Sequence, residues 1–292
     1  EKRLPQDGAF LVKIGERPID IRVSSVPTIY GEKIVMRLLD RSEVVLDLNR
    51  LGFDPKQLEP IRKAISAPYG LIFLTGPTGS GKTTTLYAIL SEIKNPAKNI
   101  VTIEDPVEYK LEGINQVQIK TDIGLTFAAA LRSFLRQDPD IMLVGEVRDL
   151  ETAQICIRSA LTGHLVLSTL HTNDAPTAVS RLMDIGIEPY MLAPSILAVI
   201  AQRLVRKLCP DCKEAYEPTK EQLKNVSLKA ELIYRAKGCP KCNNTGYKGR
   251  ACIAEVMLVN DEIRALINER ASFQKIREAA TAHGMQSLYE AG

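Results

Sequence analysis

Residues 71–93 constrain the fold most tightly. An apolar run, Leu71-Ile-Phe-Leu74, leads into Gly76-Pro77-Thr78-Gly79-Ser80-Gly81-Lys82-Thr83, and a helix-like run follows from Thr84 to Ile93. A strand, a glycine-rich loop carrying Gly-Lys-Thr and a helix, in that order, make a phosphate-binding unit. The helix has to pack back on a sheet that contains the strand. Gly76, Gly79 and Gly81 allow close backbone approach to phosphate. The loop N–H groups and the positive end of the helix face the anion. Lys82 reaches β- and γ-oxygens, and the Thr83 hydroxyl suits Mg²⁺. Gly76 to Thr84 are therefore the expected nucleotide-binding residues, with a nucleoside triphosphate and Mg²⁺ as ligands. A ligand-free glycine turn is the other reading, and the strand and helix flanks argue against it.

Around this unit the periodicity is that of an α/β chain. Strand-like runs at 71–75, 99–103, 141–144 and 165–170 alternate with helix-like stretches at 82–93, 127–136, 149–161 and 175–183. Such alternation implies a parallel-rich sheet, with ligands at the carboxyl ends of its strands. Before it, Ala9–Ile14, Ile19–Val23 and Lys33–Leu39 read as an antiparallel meander punctuated by Gly15, Pro18, Pro27 and Gly31. The meander is expected to be the tail of a domain that begins upstream. Ser195–Lys207 reads as a helix, apolar early and basic late, and further helices are expected at 261–268 and 272–283. The expected division is 1–41 for the β-rich, arginine-bearing part and 42–69 for a linker and leading helix. The core would occupy 70–208, a cysteine subdomain 209–252 and a helical region 253–292.

Composition excludes several classes. The net charge of +3, the lack of tryptophan and the aromatic share of 5% argue against nucleic acid as a partner. No apolar run approaches the roughly 20 residues of a membrane span, and no signal peptide is recognisable, so a cytoplasmic protein is expected. Of the six cysteines, Cys209-Pro-Asp-Cys212 and Cys239-Pro-Lys-Cys242 form two CxxC pairs. Two such knuckles complete a closed tetrahedral thiolate site of the structural zinc type. Free or redox thiols are the alternative. Cys156 and Cys252 fit as small buried hydrophobes.

Other polar residues sit at strand ends. Ile141-Met-Leu-Val144-Gly145-Glu146 ends in an acid suited to supporting Mg²⁺. Thr102-Ile-Glu104-Asp105-Pro-Val-Glu108 gathers three carboxylates, as beside a metal-bound triphosphate or in a solvated turn. His164 and His171 flank the run 165–170, and a hydrogen-bonded structural role is the default for each. Arg22 and Arg37 have no role legible from composition or spacing.

Together these segments resemble the hexameric ATPases of type II secretion and type IV pilus systems. The matching stretches include Leu4–Gly8, Asp20–Ser24, Gly70–Thr85, Thr102–Tyr109, Leu131–Asp140, Val144–Asp149, Thr162–Asp174, the four cysteines and Gly284-Met285. Gly113–Gln118 and Ala128–Phe134 favour the pilus assembly (PilB-type) branch over type II secretion. A retraction motor usually lacks the cysteine segment. The resemblance implies a RecA-like core behind the end of a small PAS-like α+β domain, and ATP hydrolysis by a homohexamer. It implies a platform protein of the inner membrane as partner, and membrane association only through such partners. It also gives roles: Glu104 to activate water, Glu146 to hold Mg²⁺ indirectly, His171 to sense the γ-phosphate beside His164, and Arg22 and Arg37 to contact that phosphate.

Overall fold

The computed structural model describes residues 2–15, 17–40, 46–219 and 232–292. The chain divides into two compact units, Glu1–Leu46 and Asp47–Gly292. In the first, β1 (Gln6–Ile14), β2 (Arg17–Thr28) and β3 (Gly31–Asp40) form an antiparallel sheet in the order β1-β2-β3. Arg22 lies directly opposite Arg37 in the β2–β3 register. Paired positions share a face of the sheet, so the two guanidinium groups leave from the same side.

The second unit is built on a seven-stranded sheet. Its strands are β4 (Gly70–Thr75), β5 (Ile100–Glu104), β6 (Asn115–Gln118), β7 (Ile141–Val144), β8 (Leu165–Leu170), β9 (Ile196–Leu208) and β12 (Tyr247–Leu258). The order is β12-β9-β4-β8-β7-β5-β6, parallel throughout except where β12 pairs antiparallel with β9. β4, β5, β7 and β8 are buried along their whole length, as expected of parallel strands covered on both faces. Successive β4 residues enter opposite layers. Leu71 and Phe73 pack in one core, and Ile72 and Leu74 in the other. The second core holds Leu58 and Ile61 of α1 (Pro55–Ile65) and Leu86 and Ile89 of α2 (Lys82–Ile93). The first holds residues of α3 (Phe127–Phe134), α4 (Leu150–Leu161), α5 (Ala175–Asp184), α6 (Pro189–Ser195), α7 (Asp261–Asn268) and α8 (Phe273–Ala282). The result is the expected α/β architecture with a largely parallel sheet.

One expected helix is a strand. Residues 196–208 form β9, not the end of a helix over Ser195–Lys207. Its Ile196, Ala198, Val199, Ile200 and Ala201 are fully buried, and a two-sided apolar run has no period that separates strand from helix. β12 runs through residues 252 and 253, where the cysteine segment and the helical region were expected to divide. It joins the core sheet, while α1 is tied to it by Gln57 Nε2 donating to Ala254 O at 2.6 Å. Between β9 and β12, a short ribbon of β10 (Glu214–Tyr216) and β11 (Ile233–Arg235) brings the two CxxC pairs together.

Candidate functional site

The phosphate loop follows β4 at its carboxyl end, and α2 begins at Lys82. Gly76 takes φ +142°, and a Cβ there would lie 2.6 Å from Gln202 O and 2.7 Å from Ser80 Oγ. The position therefore admits glycine alone. The Lys82 ammonium donates to Gly76 O at 2.8 Å and Pro77 O at 3.1 Å, curling over the loop. Burial holds its pKa below the usual range; the Glu146 charge opposes that shift and the Arg203 guanidinium adds to it. Ser80 Oγ and Gln202 Oε1 are buried without a hydrogen-bond partner. A loop whose ammonium caps its own carbonyls, with an orphaned hydroxyl beneath, fits a triphosphate that would take over those contacts.

The acids converge on the same edge. Gly145 lets the ends of β5 and β7 approach, since a Cβ there would stand 3.3 Å from Glu104 Cα and from Ile103 O. Glu104 is buried, 3% exposed. Thr102 Oγ1 donates to its Oε1 at 2.6 Å, Gln116 Nε2 donates to the same oxygen at 3.2 Å, and the Tyr87 hydroxyl donates to Oε2. Burial first, then these contacts with Glu104, push the Tyr87 pKa up. Glu146 pairs with Arg148 Nε at 2.6 Å, and His171 Nε2 lies 3.4 Å from the same Oε2. Ser168 Oγ donates to Val144 O and Thr169 Oγ1 to Gly145 O, both at 2.7 Å, which fixes the turn that carries Glu146. Thr83 and Thr84 lie in the first turn of α2, and Thr83 with Glu146 suits a hard, oxygen-ligated cation such as Mg²⁺.

The two histidines part company. His171 follows β8 at its carboxyl end. His164 precedes that strand, roughly 20 Å away at 3.3 Å per residue, with its Nδ1 3.0 Å from Ser159 O. The structure thus gathers His171 with Lys82, Glu104 and Glu146 and leaves His164 at the amino edge. Arg22 and Arg37 belong to the first unit and stand together there.

The four cysteine sulfurs lie within 4.8 Å of one another. Cys209–Cys239, Cys212–Cys242 and Cys239–Cys242 are 4.0, 3.8 and 3.7 Å apart. A tetrahedron with Zn–S of about 2.3 Å needs about 3.8 Å between sulfurs, so the set fits zinc. Lys241 Nζ donates to Asp211 Oδ1 at 2.7 Å, bridging the knuckles. For Cys242 burial acts upward, but N–H donors from Cys239 and Gly246 prevail and bring its pKa down to about 6.

The profile of the type II/IV secretion system protein family matches residues 1–292. The chain belongs to that family. It is 53% identical over 292 residues to the type II secretion system protein HxcR of Pseudomonas aeruginosa, covering all of this chain and 59% of that protein. It is 52% identical over 299 aligned positions to the type IV pilus assembly ATPase PilB of Myxococcus xanthus, covering all of this chain and 53% of that protein. It thus spans little more than half the length of these curated relatives. Among solved structures it is similar to the pilus retraction motor PilT with bound ADP. The TM-score is 0.68 at 28% identity, with 99% of this chain and 77% of that one covered.

In this secretion-family chain, sequence reasoning missed the polar residues that brace the site. Thr75 Oγ1 accepts from Thr172 N at 2.9 Å and ties the phosphate loop to the segment after β8. Gln202 Nε2 donates to Ser80 O at 2.7 Å. Tyr87 and Gln116 hold Glu104. A signal existed for several of them, since Thr75, Ser168, Thr169 and Gln202 interrupt strands that are otherwise apolar.

Proposed function

We propose that this chain is the ATP-hydrolysing part of a motor for a type IV pilus or type II secretion machine. One observation carries the reading: Lys82, Glu104, Glu146 and His171, from four separate segments, converge at the carboxyl edge of one parallel sheet. Phosphoryl transfer to water requires mainly positioning and charge stabilisation, and this edge offers both. The phosphate loop and Lys82 bind the β- and γ-phosphates. Thr83, with Glu146 behind it, holds Mg²⁺, which when bound neutralises charge on the phosphate oxygens. His171 senses the γ-phosphate from beside Glu146.

Glu104 orients or deprotonates water. For that the Tyr87 hydroxyl has to yield its place on Oε2. Arg22 and Arg37 supply cationic charge to the terminal phosphate. Losing the γ-phosphate removes the anion and frees the arginine-bearing unit to move. The tetracysteine cluster binds structural zinc through Cys209, Cys212, Cys239 and Cys242. Six copies form a ring that passes the motion to an inner-membrane platform protein. Gly113–Gln118 and Ala128–Phe134 favour pilus assembly, whereas identities of 53% and 52% to the two kinds of relative do not separate the branches.

Phosphate release from MgATP tests the activity. Turnover that disappears in Lys82→Ala is expected; a variant as active as wild type rejects the site. Co-purification with the platform protein of a pilus or of a secretion machine decides the branch.

A further inference from the structure

β9 runs on past the end of β4 beside the phosphate loop, because Ala201 is in register with Thr75 at the carboxyl end of β4. The next two residues are polar and both touch the site. Gln202 holds Ser80 O from below. Arg203 lies across the top. Its Nη1 donates to Gln202 O at 3.0 Å, and its Nη2 donates to Asn173 O at 3.0 Å and Asn173 Oδ1 at 3.1 Å. The same Nη1 is 3.0 Å from where a Gly76 Cβ would stand, so the guanidinium rests on the first glycine of the loop. Its charge also contributes to the lowered pKa of Lys82.

Asn173 sits in the segment that carries His171. On one side Thr172 is bonded to Thr75. On the other, Asp174 caps α5 and pairs with Arg277 Nη2 at 2.9 Å. Between these two anchors, Asn173 is held by Arg203. A planar guanidinium presents its donors in a rigid fork, whereas an ammonium is a compact point charge with rotatable donors. Both Nη atoms are engaged with the protein, so the group acts through the loops it joins.

We propose that Arg203 is a positioning residue: its guanidinium straps the His171–Asp174 segment to the first turn of the phosphate loop and so sets where His171 stands relative to Lys82. The inference rests on the ATPase reading above. Misplacement near a reacting centre lowers turnover more than ground-state binding.

Arg203→Ala, Arg203→Lys and Asn173→Ala in the full chain test it through two readouts. In hydrogen exchange without nucleotide, the amides of 171–174 in Arg203→Ala should exchange at least tenfold faster than in wild type. In kinetics, kcat should fall at least tenfold while the Kd for ADP stays within threefold, with Arg203→Lys no better than Arg203→Ala. Unchanged exchange overturns the strap, as does wild-type turnover in Arg203→Lys or an ADP affinity that falls as far as kcat. Should Arg203→Ala not fold, Asn173→Ala, altered at an exposed side chain, carries both readouts. Wild type without ATPase activity would defeat the proposed function, while the exchange result would still decide the strap.

Discussion

At Glu104 a carboxylate is buried at the end of an apolar strand and supplied with donors from Thr102, Tyr87 and Gln116. Tyr87→Phe removes one donor and leaves a buried oxygen short of a partner, which should cost about 1–3 kcal/mol in denaturant unfolding. Glu104→Gln keeps the shape. If Glu104 serves as the base, turnover should fall by roughly 10²–10⁴ with ADP affinity retained; an active variant moves that role elsewhere. Cys242 gives a pH-dependent expectation. Its thiol is lowered from 9.0 to about 6 in the fold. The thiolate's contribution to stability is therefore full above about 9 and is lost as pH falls through 6. Protons also compete with the metal for sulfur. Bound zinc, measured by metal analysis after dialysis, should be retained at pH 7.5 and decline on acidification. The phosphate loop and the CxxC pairs were legible residue by residue, because each is a local spacing with one chemical use. Tyr87, Gln116 and Arg203 were not, because their roles exist only through partners remote in sequence.

Among the elements, α2 and β4 follow from local pattern: an apolar run, a glycine loop and a helix starting at Lys82. β9 did not, because a strand buried on both faces loses the alternation that marks a strand. Its inner half braces the phosphate loop through Gln202, and its outer half leads straight into Cys209. Chelation should therefore loosen 209–219 and 232–246 without dissolving the sheet. Hydrogen exchange should rise across the cysteine segment, with ADP affinity within threefold of the metal-bound protein. A larger loss of affinity would mean that the β9–β12 ribbon needs the metal along its whole length. In the first unit, the antiparallel register sets Arg22 against Arg37, a pairing that spacing alone did not reveal.

For the whole molecule, Glu1–Leu46 and Asp47–Gly292 are separate compact units, and no helix among the described residues is long and apolar enough to cross a membrane. If Arg22 clamps the terminal phosphate, Arg22→Ala should cut kcat strongly and leave ADP binding intact. Such arginines are worth about 10³–10⁵ in related chemistry, so a loss below tenfold argues against the role. Sedimentation with MgATP should show six copies per particle. The sequence by itself determined the chemistry on offer: the phosphate loop, the acids at strand ends, the paired thiols and the α/β alternation, all written in short-range spacing. Only the tertiary structure decided which groups meet. Strand order puts Thr75 against Thr172, 97 residues away. Strand direction sends His171 to the carboxyl edge of the sheet and His164 to the opposite one, because a strand's two ends cannot share a site.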